Sequence, residues 1–146
     1  MATAAEAQSS IASAFETYIA ELAQAGPVWE KKPEGSADGE AAWCARQVAE
    51  HIAGSGLFFG MGISRAIGVD GPTPAQLSLA DAATAVNETK RTHSELMAVV
   101  GKVTDAQMDQ EFDLPRLGKQ TVAGMLGIVS YHLNDHANQL KTLRGG

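Results

Sequence analysis

The sequence predicts an all-α fold, a four-helix bundle with long crossover connections. Four segments place apolar residues at alternating steps of three and four, the spacing of one helix face. Gly- and Pro-containing breaks separate these segments, and no segment keeps the two-residue alternation of a half-buried strand. At 146 residues the chain suits one domain, expected to span 1–146, that buries enough surface to fold without staples.

Helix one is expected where Ile11, Phe15, Tyr18, Leu22 and Ala25 form a stripe, which Gly26-Pro27 stops. Residues 26–40 carry no apolar period and read as a connection. Helix two is expected from about Ala41, although Gly54, Gly56, Gly60 and Gly62 weaken its second half, each costing about 1 kcal/mol against alanine. Gly68 to Pro74 forms the next break, and Ser78-Leu79-Ala80-Asp81 has the polar-x-x-acid form of a start for helix three, which runs to about Val100. Thr104 is expected to cap a short turn through Met108, with residues 114–118 irregular or briefly extended. Thr121 then caps helix four, whose Val122, Met125, Val129, His132, His136, Gln139 and Leu143 hold the 3-4 spacing. The connections before helices two and four are longer than adjacent antiparallel helices need, which permits crossover winding.

Composition excludes several function classes. Hydrophobic residues make up 45% and charged residues 19% of the chain, and no apolar run reaches the roughly 20 residues of a membrane span. The N-terminus has no basic segment followed by an apolar block, so no secretory signal is expected and the cytoplasm is the expected location. The single cysteine, Cys44, rules out an internal disulfide and a cysteine-pair zinc motif, and agrees with a reducing compartment. A formal charge of -6, with no basic run longer than two residues, argues against nucleic-acid partners.

Polar residues within the stripes carry the functional signal. His132 and His136, four apart, share one helix face one turn apart, so two neutral imidazoles there can share a metal ion. On helix two, Cys44, His51, Ser55 and Phe58 share a face; on helix three, Leu79, Val86, His93 and Val100 recur every seven residues. All four histidines therefore face the core, and no carboxylate is placed inward as consistently. Buried imidazoles need partners, and the plain alternative is separate core histidines bonded to backbone carbonyls. His93 reads as partly buried or surface, with a local partner; Cys44 and Tyr18 read as core packing, the tyrosine hydroxyl finding some partner. Asp135, Asn138 and Glu50 neighbour the histidines and are candidates for orienting them, although solvated helix faces suit them better.

Two blocks carry a family resemblance. Trp43 followed by His51-Ile52, and Gly118-Lys119-Gln120-Thr121-Val122 followed by His132, His136, Gln139 and Leu140, resemble the helix-two and helix-four motifs of the DinB-like metal-binding four-helix bundles, a family related to bacterial thiol-dependent transferases and isomerases. The resemblance covers nearly the whole chain. Departures are Cys44, where a capping serine is common, and Ala137-Asn138, where Arg-Gly often follows the last histidine. The resemblance implies that His51, His132 and His136 hold a divalent ion. Three imidazoles leave such an ion one open position, the arrangement of catalytic sites. Zn is the first candidate, with Ni, Co, Fe and Mn as others.

The function expected from the resemblance is that of a metal-dependent enzyme activating a thiol or water nucleophile, of thiol S-transferase, isomerase or hydrolase type. Its catalytic residues beyond the ligands are not legible. A small-molecule substrate, including a low-molecular-weight thiol, and a homodimer are the partners this reading allows; nucleic acid and membrane are not expected. The competing readings are a non-catalytic metal-binding stress-response protein and a metal-free helical interaction module.

Overall fold

The structure is a computed structural model that describes residues 3–33, 35, 39–114 and 117–145. Among these are four α-helices, α1 (Ala4–Ala23), α2 (Ala45–Ile67), α3 (Ala82–Val100) and α4 (Val122–Gly145), and one antiparallel hairpin of β1 (Glu111–Leu114) and β2 (Gly118–Thr121). No helix among the described residues is long and apolar enough to cross a membrane.

Side-chain caps set most of the helix starts. Thr3 and Glu6 form a reciprocal capping box at α1, with Oγ1 of Thr3 accepting from the Glu6 N–H at 3.1 Å and Oε1 of Glu6 accepting from the Thr3 N–H at 3.0 Å. Of the expected stripe, Ile11, Tyr18, Leu22 and Ala25 are buried and Phe15 is partly buried, with Ala14 joining them inside. Helix α2 starts at Ala45, later than expected, because residues Gly39–Ala42 form a separate 3-10 turn and Cys44 is the extended residue before the helix. Thr121 caps α4 as expected, its hydroxyl 3.0 Å from the Gly124 N–H.

Two expectations need correction. Helix α3 begins at Ala82, with Asp81 itself as the cap and its carboxylate 2.7 Å from the Thr84 N–H; Ser78 instead accepts a hydrogen bond from Arg46 at 2.9 Å. No strand is expected beyond a brief extension within residues 114–118, whereas Glu111–Leu114 and Gly118–Thr121 pair as a hairpin whose strands are too short to show a two-residue period in sequence.

Helix α2 runs unbroken through its glycines. A Cβ at Gly60 would stand 2.7 Å from the Pro72 ring and one at Gly62 would stand 2.5 Å from Leu114, so the missing side chains let a connection and the hairpin lie directly on the helix. Packing recovers what helix propensity loses there.

The winding follows from which ends meet. The start of α1 bonds to the end of α3 and the turn after it, through Gln8 to the Val100 carbonyl and the Ala4 N–H to Asp105, while its end meets the end of α4 through Glu21 and Arg144. Gln110, near the start of α4, bonds the Ala66 carbonyl at the end of α2. So α1 and α4 run one way and α2 and α3 the other. The closest packed pairs are α1 with α4 and α2 with α3, followed by α2 with α4 and α1 with α3; α1 and α2, like α3 and α4, lie across the bundle from each other. The connections before α2 and α4 therefore cross the bundle, as their length permitted. The α2–α3 connection, residues 68–81, also travels back along α2 to return the chain to the other end. Its later part is pinned by Trp29 Nε1 donating to the Leu79 carbonyl at 3.0 Å and by the Leu79 N–H donating to Glu50 at 2.8 Å.

Candidate metal centre

Adjacent helices α2 and α4 bring three of the four histidines to one point between them. His51, His132 and His136 each offer a ring nitrogen, and these three atoms lie within 4.8 Å of one another. The Nε2 atoms of His51 and His132 are 2.8 Å apart. Two donors each about 2.0–2.1 Å from one ion stand roughly 2.9–3.4 Å apart at bond angles of 90–109°, so this spacing is close to that of ligands sharing an ion. Aromatic rings wall the site: Trp43 lies 5.0 Å from the His51 ring and 6.2 Å from that of His136, and Phe59 meets His132 edge-on at 5.6 Å.

Burial keeps the imidazoles in the ligating form. Desolvation, followed by the neighbouring His136 and His51, lowers the pKa of His132 to about 3, and desolvation with the His136 field lowers that of His51 against a small opposing pull from Glu40. Near neutral pH both rings are therefore uncharged, the protonation state in which imidazole binds an ion.

His136 provides the test of fit. Its side chain is 1% exposed, and among the described residues its Nε2 has no hydrogen-bond partner. Its Nδ1 lies 2.7 Å from Oε1 of Gln139, whose Nε2 donates to the Glu40 carbonyl at 2.6 Å. A carbonyl can only accept, so the Gln139 amide must point its NH2 at Glu40 and its oxygen at His136. His136 therefore donates from Nδ1, and in the neutral ring Nε2 is a bare lone pair. A buried lone pair facing two other imidazoles fits a divalent ion.

Gln139, which periodicity places only as a stripe position, orients the His136 ring. Its location three residues after His136 on the same helix face was the available signal. The residues considered for that role do other things: Asp135 and Asn138 are exposed, and Glu50 bonds Arg46 and the Leu79 N–H. No carboxylate is expected inward as consistently as the imidazoles, and Glu40, an exposed residue, brings Oε1 to 3.4 Å from His136 Nε2. Glu40 sits in the 3-10 turn before α2, outside every stripe, so periodicity could not reveal it.

His93 does not join the three. It is half-buried and stacks on Phe15 with ring centroids 3.6 Å apart and planes 2° from parallel, and burial lowers its pKa to about 4. It lines a cavity of about 20 Å3, room for one water, whose wall includes His132 and Ser55. Cys44 is buried at the start of α2. Tyr18 is fully buried, but its hydroxyl lacks the partner expected of it among the described residues.

On another side of the site is a cleft of about 840 Å3, within the size range of small-molecule pockets. His51, His132, Gly54 and Ser55 reach it from the helices, Ala75 and Leu77 from the α2–α3 connection, and Glu40 from the turn before α2. Its apolar surface comes chiefly from Phe58, Phe59, Leu77 and Ile128.

Comparison with known proteins agrees with this architecture. In solved structures, the chain is similar to TT2238, a four-helix bundle protein, with 24% identity and a TM-score of 0.70 over 96% of this chain and 99% of that one. It is similar also to YfiT from Bacillus subtilis, described as a probable metal-dependent hydrolase with an unusual four-helix bundle topology, with 20% identity and a TM-score of 0.67 over 99% of this chain and 91% of that one. No curated protein matches the chain. The model of the DinB superfamily matches residues 12–140, which include all three converging histidines, and the chain belongs to that superfamily.

Proposed function

We propose that this protein is a metal-dependent enzyme in which His51, His132 and His136 hold a divalent ion beside the cleft, and that a thiol or a water molecule is the nucleophile made reactive there. The observation that carries this reading is the buried, unpartnered Nε2 of His136 facing the paired Nε2 atoms of His51 and His132. Zn suits three imidazoles best, with Ni, Co, Fe and Mn as alternatives. Such an ion lowers the pKa of water or a thiol toward neutrality and withdraws electrons from a substrate oxygen.

The protein's own residues prepare the site in three ways. Gln139 holds the His136 ring so that Nε2 points at the other imidazoles. Trp43 and Phe59 pack against the rings and limit their rotation. The cleft, lined by Phe58, Phe59, Leu77 and Ile128, takes the apolar part of a small substrate and brings it up to His51 and His132. The description of YfiT as a probable metal-dependent hydrolase supports the hydrolytic form of the reading. The relation of the DinB-like bundles to thiol-dependent transferases and isomerases supports the thiol form.

The test pairs metal content with turnover. Protein purified without chelator should carry about one divalent ion per chain, and His51→Ala, His132→Ala and His136→Ala should each lose it. The metal-loaded protein is then assayed against ester and amide substrates, and against a panel of thiols with electrophiles. Full metal retention in all three variants would remove the triad. Full metal loading without turnover on either panel would favour a non-catalytic metal-binding protein.

A further inference from the structure

We infer that Glu40 is a fourth donor of this centre, its carboxylate joining the three imidazoles on the same ion. The inference rests on the proposed three-histidine metal site and adds a residue to it. Oε1 of Glu40 is 3.4 Å from Nε2 of His136, yet no hydrogen bond joins them. Because Gln139 accepts the Nδ1 proton of His136 in a hydrogen bond, Nε2 is the nitrogen left to bind an ion, and the Glu40 oxygen faces that same atom. The two atoms stand 3.4 Å apart. That separation matches two ligands on one ion at a near-tetrahedral angle, with bonds of about 2.0–2.2 Å.

The residue is also held in place. Gln139 bonds the His136 ring at 2.7 Å with one end of its amide and the main-chain carbonyl of Glu40 at 2.6 Å with the other, so one side chain ties the ring to the backbone that carries the carboxylate. Among the described residues no lysine or arginine pairs with Glu40, which leaves its carboxylate free for an ion. Glu40 lines the cleft together with His51 and His132, so the carboxylate approaches from the side on which substrate would enter. Three imidazoles and one carboxylate fill a tetrahedral ion. An ion that accepts five or six donors would keep a place for the nucleophile, which favours Fe, Co, Ni or Mn over Zn for turnover.

The test is competition for cobalt(II) between the protein and a chromophoric chelator at pH 7.5, with the visible spectrum of the cobalt-loaded protein as a second readout. In Glu40→Gln, cobalt affinity should fall at least tenfold and the visible bands should shift, while the metal-free variant melts with the wild type because the side chain is exposed. Gln139→Ala should weaken affinity in the same direction by freeing both donors. A smaller affinity change in Glu40→Gln, with unchanged bands, overturns the inference. If His132→Ala loses cobalt in that same experiment, the three-histidine site stands and only the fourth donor fails; if the wild type takes up no cobalt, both fail.

Discussion

Two groups of polar side chains are buried in this bundle, and they differ in whether their atoms meet. Between α2 and α4, the nitrogens of His51, His132 and His136 converge within 4.8 Å. In the α1 and α3 half, Tyr18, Thr89 and His93 are also inside, but no hydrogen bond joins them: the two hydroxyls have no partner among the described residues, and His93 lies flat on Phe15. An isolated buried hydroxyl forfeits the hydrogen bond it had with water and destabilises the fold by about 1–3 kcal/mol. Three converging lone pairs carry a similar penalty while empty and recover it when a cation arrives. Convergence is what separates a site from a packing compromise.

The largest test of this contrast is metal removal. An ion at 100 times its dissociation constant adds about 2.7 kcal/mol if the unfolded chain does not bind it. Chelation should therefore lower the melting temperature of the wild type by roughly 5–10 °C for a domain of this size, and leave His132→Ala unchanged in a thermal scan. Equal responses of the two proteins to chelator would remove the distinction between the regions.

Next in size is access to the ion. Gly54 lines the cleft beside His51, and a Cβ there would already stand 3.4 Å from the Ala75 carbonyl. Gly54→Leu should weaken thiol binding to the cobalt-loaded protein by about tenfold, roughly 1.4 kcal/mol, while cobalt stays bound. Unaltered thiol titration curves would place the substrate elsewhere.

The α1 and α3 half should respond with the opposite sign. Tyr18→Phe removes an unpartnered hydroxyl without leaving a hole, and should raise stability by about 1 kcal/mol in urea unfolding. Destabilisation of that size would mean that the hydroxyl has a partner, such as a water, that holds it. Thr89→Val tests the same idea at the second orphan.

The smallest effect sharpens the boundary between the two regions. His93→Gln should keep the full complement of metal, because its ring is stacked on Phe15 outside the converging set. Its folded-state pKa of about 4 lies below the ordinary value of 6.5, so between these pH values the unfolded chain binds more protons and stability falls as pH falls. In the metal-free protein, His93→Gln should therefore flatten part of the loss of melting temperature between pH 6.5 and 4, with His132 and His51 contributing to the rest in the same direction. Metal loss in this variant would assign His93 to the site.

What was legible in the chain differed between the same two regions. Helix α4 announced both of its histidines because their spacing is a local property of a helix, and Gln139 was within reach of the same argument. The inward faces of His51 and His93 looked alike in the stripes of α2 and α3, and periodicity could not distinguish the converging ring from the stacked one. Only the family resemblance separated them. Glu40 and the run of residues 68–81 along α2 stayed hidden because neither lies in a periodic segment.

By itself, the sequence determined the four amphipathic segments, the Thr121 cap of α4, and an interior in which imidazole is the conspicuous polar group. These follow from interactions between residues a few positions apart, which the order of the chain specifies directly. The tertiary structure decided which helices became neighbours, and through that, which histidines meet. It placed α2 against α4, laid a connection and a hairpin on the glycines of α2, and brought the Glu40 carboxylate to His136. Those outcomes depend on packing between segments distant in the chain, where shape and the burial of polar atoms select among arrangements that local spacing leaves equivalent.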